Sequence, residues 1–326
     1  MKRFWFLAYS GIVIPLFWLT VQAAALLNSK ARRGIRGRDT LFQDLGRQLA
    51  ALPSGRRVWF HSSSLGEFEQ AKPIIAELKR RHPDLAVVVS FFSPSGLEHS
   101  RKYKLADAIT YIPFDTRRNA RRFLELVHPA AAVMVRYDIW PNHIWELHAR
   151  GIPVLIANAT MRERSKRRLP VIRSFHRQVY DVIDDILTVA PSDADAFRSF
   201  ALEHPVVEVI GDTRYDQVCI RSSEALKRHI IPPAITDGKK ILVIGSSWPE
   251  DDDVVLPPSL QLLRELPDLL CVQNAILHAS LLLGFCRWNY RRSFAVSIVR
   301  FPGCGGQVSY FERGRQIFLD NPTSLR

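Results

Sequence analysis

Hydrophobic and polar positions fall into three regimes along the chain. In the first, Phe4 to Leu27 carries no charge, and its only polar breaks are Ser10, Thr20 and Gln22. As a helix rising about 1.5 Å per residue it reaches ~36 Å, enough to cross a bilayer core. Gly11 and Pro15 are tolerated in such a helix. A basic linker follows, with Lys30, Arg32, Arg33, Arg36 and Arg38.

In the second regime short apolar runs alternate with segments of helical period. After a short helix over Thr40–Ala51, strands are expected at Val58–Phe60, Ala86–Phe91, Ala108–Ile112, Ala130–Val135, Val154–Ala157, Asp185–Val189 and Val206–Ile210. Helices are expected near Phe68–Arg81, Gly96–Leu105, Thr116–Val127, Ile144–Ala149, Pro170–Ile183 and Ala194–Ala201. Helices between short buried strands predict βαβ units and a parallel sheet.

The third regime begins with a linker over Ala225–Gly238, marked by Pro232-Pro233. A strand at Lys239–Ile244, a turn at Gly245–Pro249 and a helix at Asp251–Leu266 open a second α/β unit. Beyond about Leu270 the alternation fades, and neither Arg287–Arg292 nor Arg300–Gly306 extends it. The expected division is an anchor over 1–29, an α/β domain over 30–222, a linker over 223–238, and a partial second domain over 239–326, atypical after about 270.

Composition narrows the function classes. At 326 residues, 47% of them hydrophobic, the chain has room for about two packed domains and is not a disordered chain. A net charge of +13 favours anionic partners: phosphorylated substrates, anionic lipid or nucleic acid. No nucleic-acid motif is present, and the apolar anchor points away from that class. Cys219, Cys271, Cys286 and Cys304 lack metal or redox spacing, so no metal site is expected. More basic residues follow the apolar run than precede it, so the positive-inside rule keeps the body in the cytoplasm. Val21-Gln22-Ala23 offers a signal-peptide cleavage site as the competing reading. The length of the run and the basic residues after it favour an uncleaved anchor. Whether it spans the bilayer or lies in its surface stays open.

The candidate chemistry centres on His61-Ser-Ser-Ser-Leu-Gly-Glu67, which leaves one expected strand and opens a helix. Such a turn presents backbone N–H groups, and Glu67 is a candidate general base at the mouth of the sheet. Equally, Ser64 and Glu67 have the spacing of a capping box, a purely structural role.

Seven motifs in order give the chain a resemblance to the 3-deoxy-manno-octulosonic acid (Kdo) transferases of lipopolysaccharide biosynthesis. His61 to Glu67 is similar to H-x-x-S-x-G-E, Ser90–Gly96 to T-x-T-x-T-G, and Tyr111–Asp115 to Y-x-P-x-D. Trp140-Pro-Asn142 closes a stretch similar to E-x-E-x-W-P-N. Asn158-Ala159 with Ser165 resembles N-A-R-x-S, and Gly211–Asp216 resembles G-N-x-K-F-D. Gly245-Ser-Ser-Trp-Pro-Glu250 resembles the start of the family's second domain.

The resemblance implies a GT-B-type α/β glycosyltransferase, with one complete and one partial Rossmann-like domain behind an inner-membrane helix. It implies Kdo transfer from CMP-Kdo, the donor substrate, to a lipid A precursor (lipid IVA), with release of CMP and no cofactor. It puts the general base on Glu67 and charge roles on Asp138 and Arg214, the latter in place of a family lysine. Arg136 replaces the first acid of E-x-E-x-W-P-N and suits an acceptor phosphate. Substrate contacts are expected from His61, Ser63, Ser64, Gly66, Asn158, Ser246 and Ser247. Basic clusters at Arg101–Lys104, Arg117–Arg122 and Arg162–Arg168 suit anionic lipid, or are simply solvated helix faces.

The family's A-P-x-H/R, G-G-x-x and N-x-x-E-P segments have no counterpart after Leu266–Leu270, where the chain reads Cys271-Val-Gln-Asn. Gly305-Gly306 is a poor substitute. A changed reading frame near Leu270 would account for this, and an inactive remnant that binds lipid is the alternative reading. Another lipid-directed glycosyltransferase is a further one.

Overall fold

A computed structural model describes residues 2–162, 165–226, 233–275, 295–300, 307–312 and 315–319. The chain forms two compact units, Met1–Ser223 and Glu224–Arg326.

The first unit opens with a continuous helical rod. Helix α1 (Lys2–Ala8) passes through a π-helical turn (Tyr9–Val13) into α2 (Ile14–Leu27). Phe4–Leu27 is long and apolar enough to cross a membrane by length and composition. The expected basic linker is instead helix α3 (Ser29–Asp39), N-capped by the Asn28 side chain. Its last arginine is not offered to solvent. Arg38 donates to the carbonyls of Gly34, Phe92 and Ile112 at 2.7, 2.8 and 2.9 Å, between the rings of Phe92, Tyr111 and Phe114. Burial lowers its pKa to about 10. Gly37 is required here, because a Cβ would overlap the Tyr111 ring.

Helix α4 (Leu41–Ala50) then leads into the alternating series. It runs β1 (Arg57–Ser62), α5 (Leu65–Arg81), β2 (Ala86–Phe91), α6 (Pro94–Ser100), β3 (Ala108–Tyr111), α7 (Arg117–Val127) and β4 (Ala131–Val135). It continues through α8 (Pro141–Ala149), β5 (Val154–Ala159), α9 (Pro170–Tyr180), β6 (Asp185–Thr188), α10 (Pro191–Arg198), β7 (Val206–Val209) and α11 (Arg214–Leu226). The seven strands pair parallel in the order β3-β2-β1-β4-β5-β6-β7. Helices cover both faces, so the central strands are buried on both sides; β1 and β2 bury five of their six residues each. Trp59, Phe60, Phe68, Phe91 and Phe123 are fully buried at the centre. Helix α11 runs where only a turn motif and the start of a linker were expected.

The second unit comprises α12 (Pro233–Thr236), β8 (Lys240–Ser247), α13 (Pro249–Glu265), β9 (Leu269–Ala275), β10 (Ala295–Arg300), β11 (Gln307–Glu312) and β12 (Arg315–Leu319). Strands β8 and β9 are parallel, as a βαβ unit demands. Then β10, β11 and β12 add antiparallel, in the order β12-β11-β10-β9-β8. Ile244, Leu263 and Cys271 form its small buried cluster. Glu163, Arg164, Pro232, Cys286, Cys304, Arg287–Arg292 and Gly305-Gly306, singled out in the sequence or falling within segments that were, lie outside the described residues.

Candidate functional site

The strand order reverses between β1 and β4. The chain leaves β1 for β2 and β3 on one side, then returns to place β4 on the other. Loops diverge at such a point and leave a crevice at the carboxyl ends of the strands. The loop after β1 brings Ser63, Ser64 and Glu67 to that crevice, and the loop after β4 brings Arg136 and Asp138.

Glu67 does both things its sequence allows. As the third residue of α5 it accepts from the Ser64 backbone N–H at 3.0 Å, the carboxylate half of a capping box. It is also 6% exposed. Burial, and then the nearby charge of Asp138, raise its pKa above the usual carboxylate value, against the opposing Ser64 and Ser63 N–H groups. A carboxylate held this way keeps its proton more readily than a solvated one, the property wanted of a base that must accept one.

Asp138 is the opposite case. Burial opposes its ionisation, but donors from His61, Ser63 and Trp140 outweigh it and hold the carboxyl below its usual range. His61 Nε2 lies 3.0 Å from Asp138 Oδ2, and Trp140 Nε1 lies 3.3 Å from the same oxygen. Behind them Trp59 Nε1 donates to Ser90 Oγ at 2.8 Å, and that hydroxyl is hydrogen-bonded to His61 Nδ1, also at 2.8 Å. Trp140 Nε1 also lies 3.0 Å from His61 Nε2, so the imidazole is held between Ser90 on one side and the Asp138–Trp140 pair on the other. Two adjacent carboxyls are thus driven in opposite directions, one up and one down.

The loop after β4 carries a further oddity. Arg136 adopts a left-handed backbone, φ 67°, which a non-glycine residue takes only where its surroundings enforce it. Its N–H donates to Ala157 O at 2.8 Å, and its guanidinium lies over the Tyr137 ring at 5.4 Å. Its Nε is buried with no hydrogen-bond partner.

Asn158, at φ 54°, forms a second such point where the β5–β6 register shifts. Its carboxamide is committed to Thr213, donating to Oγ1 at 2.8 Å and accepting from N at 3.0 Å. Thr213 in turn donates to Gln70 O at 2.6 Å, and Gln70 donates to Asp212 Oδ1 at 3.0 Å. Arg214 grips Asp212 Oδ2 through Nε and Nη2 at 2.8 and 2.6 Å, with its side chain 55% exposed. A network therefore joins α5, one turn beyond Glu67, to the start of α11.

His61, Ser63, Ser64, Glu67 and Asp138 come together as one cluster. Asn158 and Arg214 belong to the neighbouring network. A Cβ on Gly66 would meet nothing closer than Ser64 Oγ at 3.9 Å, so sterics alone do not demand glycine there. In the second unit Ser247 Oγ accepts from Gln273 at 3.2 Å, while the Ser246 side chain lies outside the described residues. Among the described residues no group of His, Cys, Asp and Glu could hold a metal.

The sequence reading quoted Ser90 only as a motif position and gave no site role to Ser90, Trp59 or Gln70. One signal was available: Trp59 and His61 alternate onto one face of β1, and Ser90 stands opposite His61 in the β1–β2 register.

Residues 35–217 match the family described as 3-Deoxy-D-manno-octulosonic-acid transferase (kdotransferase). The 3-deoxy-D-manno-octulosonic acid transferase of Haemophilus influenzae is 25% identical over 276 residues, 83% of this chain and 62% of the relative. That of Aquifex aeolicus is 35% identical over 103 residues, 31% of this chain and 28% of the relative. The chain thus spans about 62% of the length of the Haemophilus relative. Among solved structures, UDP-GlcNAc 2-epimerase from Neisseria meningitidis aligns with TM-score 0.50 at 15% identity, over 69% of this chain and 66% of that one. That likeness concerns the fold alone, a GT-B-type α/β architecture. By its matched segment and its relatives, the chain belongs to the 3-deoxy-D-manno-octulosonic acid transferase family.

Proposed function

We propose that this chain transfers Kdo from CMP-Kdo to a hydroxyl of a lipid A precursor, lipid IVA, and releases CMP. The observation that carries the reading is Glu67: a buried carboxylate of raised pKa, at a helix N-terminus beside the strand-order reversal. In this reading Glu67 takes the acceptor's hydroxyl proton as that oxygen attacks the anomeric carbon of Kdo. The bond from that carbon to the CMP phosphate oxygen breaks, and CMP leaves with the electron pair. Asp138 keeps its charge and helps hold Glu67 ready. Arg136, whose buried Nε has no partner, meets an acceptor phosphate. His61, Ser63, Ser64, Gly66 and Asn158 shape the acceptor side. Arg214, Ser246 and Ser247 serve the departing nucleotide.

The division of labour follows the sequence: anchor over 1–29, acceptor domain over 30–222, linker over 223–238 and nucleotide unit over 239–326. The anchor places the chain on the cytoplasmic face of the inner membrane. In this reading it lies along that face, which contacts between the rod and the domain support. Trp5 donates to Ser174, Tyr9 to Asp115 and Ser10 to Asn142, and Phe17 packs on Trp140. The stretch beyond these contacts, Trp18–Leu27, reaches only ~15 Å against the ~30 Å a bilayer core requires.

The test is Kdo transfer by the detergent-solubilised chain, with CMP-Kdo generated in situ and lipid IVA as acceptor, beside Glu67→Gln. Transfer that vanishes in the variant supports the reaction and the base; transfer that survives it removes Glu67 from the role. A second reading, an acceptor-binding protein without transfer, is favoured by one observation. After β9 the second unit's sheet continues antiparallel rather than by further βαβ units. Lipid IVA binding by a folded chain that transfers nothing would select it.

A further inference from the structure

The helical rod and the loop after β3 enclose a groove of about 290 Å³ beside the candidate site. Ile14, Pro15, Phe17 and Trp18 line one wall, and Phe114 and Thr116 line the other. Ser10 and Asp115 also border it, but their polar atoms face inward. The Ser10 hydroxyl donates to Asn142 Oδ1 at 3.1 Å, and the Asp115 carboxylate accepts from Tyr9, Asn142 and His143. What the groove offers a ligand is therefore hydrocarbon and aromatic surface.

We propose that this groove holds one acyl chain of the membrane-borne acceptor, a proposal that rests on the transfer reading above. Three observations select an acyl chain as occupant. The wall contributed by the rod belongs to a segment of membrane-anchor composition, whose Ile12, Leu16 and Leu19 are 60%, 56% and 54% exposed. A chain entering from the bilayer would thus pass from lipid to groove along one apolar surface, without crossing water. The groove also connects to the site. The Phe17 ring packs on Trp140 at 5.9 Å, and the Trp140 indole N–H lies 3.3 Å from Asp138. A chain lying against Phe17 therefore leads its polar head toward the Glu67 cluster. Finally, the volume, about 290 Å³, falls just below the ~300–1,000 Å³ typical of small-molecule sites. That suits one chain and not a lipid with several, whose remaining chains stay in the bilayer. The groove would act as a ruler, fixing which hydroxyl reaches the base.

The test uses the full chain in nanodiscs of phosphatidylethanolamine and phosphatidylglycerol, with a lipid IVA probe carrying a diazirine on an acyl chain. After photolysis the labelled positions are read by mass spectrometry. The expected result is label concentrated on Phe17, Trp18 and Phe114, displaced by unlabelled lipid IVA. Pro15→Phe, which fills the groove, should remove most of that label while label on Leu16 and Leu19 persists. Trp18→Ala, which takes away part of one wall, is the second variant and should also weaken groove labelling. Label spread evenly over Ile12, Leu16 and Leu19 without displacement would overturn the proposal. So would equal displacement by phosphatidylserine, a lipid these nanodiscs lack, which would make the groove a general lipid contact. The readout is binding, so the two ideas fail separately. Groove labelling without transfer would sink the reaction and keep the groove, and transfer without groove labelling would do the reverse.

Discussion

The Tyr9 hydroxyl donates to Asp115 Oδ2 at 2.8 Å, joining the N-terminal rod to a fully buried carboxylate. Asp115 also accepts from the N–H groups of Asn142 and His143 at 3.0 and 3.1 Å, at the start of α8, and lies 2.6 Å from His143 Nδ1. A helix N-terminus is a natural partner for a buried carboxylate. The π-helical turn that begins at Tyr9 places this residue and Ser10 to reach the domain together. Asp115 and Asn142, each the last residue of a family-like motif, are the fastening of the N-terminal rod.

Tyr9→Phe should therefore release the rod rather than unfold the sheet. A hydrogen bond to a charged group contributes about 1.5–3 kcal/mol. The expected result is faster proteolysis between Phe4 and Leu27 in detergent, with a smaller change in the main unfolding transition. Cleavage there at the wild-type rate would show that ring packing of Tyr9 on Phe175 and Trp145 suffices to hold the rod.

Glu67→Gln should abolish transfer without weakening the fold. Glutamine can still accept from Ser64 N–H, and it removes a buried charge. Because burial raises the native pKa of Glu67, the native state binds this proton more tightly than the unfolded chain. Wild-type stability from this group therefore falls as pH rises from about 4.3, the unfolded value, through the higher native one. The variant's advantage should be absent at pH 4 and present at pH 7.5 in denaturant unfolding. Glu67→Ala loses the cap as well and should be about 1 kcal/mol less stable than Glu67→Gln at either pH. A variant Gln less stable than wild type at pH 7.5 would mean the carboxylate's charge stabilises the loop.

Much of this was readable because the sheet is parallel and its helices are amphipathic. Ser64 and Glu67 announce a cap by spacing, and α5 follows it. Helix α11 escaped because Tyr215, Val218 and Ile220 are exposed, so no apolar stripe marks a buried face. Arg38 reads as a surface charge in any sequence; only the ring cage of Phe92, Tyr111 and Phe114 makes it an interior residue. The left-handed residues Arg136 and Asn158 carry no glycine to signal them. The candidate site was legible as a motif, but the coupling of Glu67 to Asp138 depends on two loops from strands adjacent only in space.

Asp138→Asn tests that coupling. Removing the charge takes away the second of the two causes that raise Glu67 and leaves the larger one, burial. The acid limb of kcat/KM should move to lower pH without reaching that of a solvated glutamate. The same substitution replaces a carboxylate acceptor of His61 and Trp140, so the maximal rate should fall as well. An acid limb unmoved in the variant would remove Asp138 from the control of Glu67.

The edge of the seven-stranded sheet gives a prediction independent of chemistry. Strand β3 is an end strand, whose outward N–H and C=O groups invite pairing with another chain. Gln48, on α4, occupies that position. Its Oε1 accepts from Ile109 N at 2.9 Å and its Nε2 donates to Ile109 O at 3.2 Å, as a neighbouring strand would. Gln48→Leu keeps the bulk and loses both bonds, leaving two backbone groups without partners. The expected cost is about 1–3 kcal/mol in denaturant unfolding, with concentration-dependent light scattering that the wild type does not show. Gln48→Glu keeps the acceptor for Ile109 N–H and loses only the donor, so it should fall between the two. If leucine is tolerated with no loss of stability and no scattering, water serves that edge as well as the amide does, and α4 protects β3 by covering it alone.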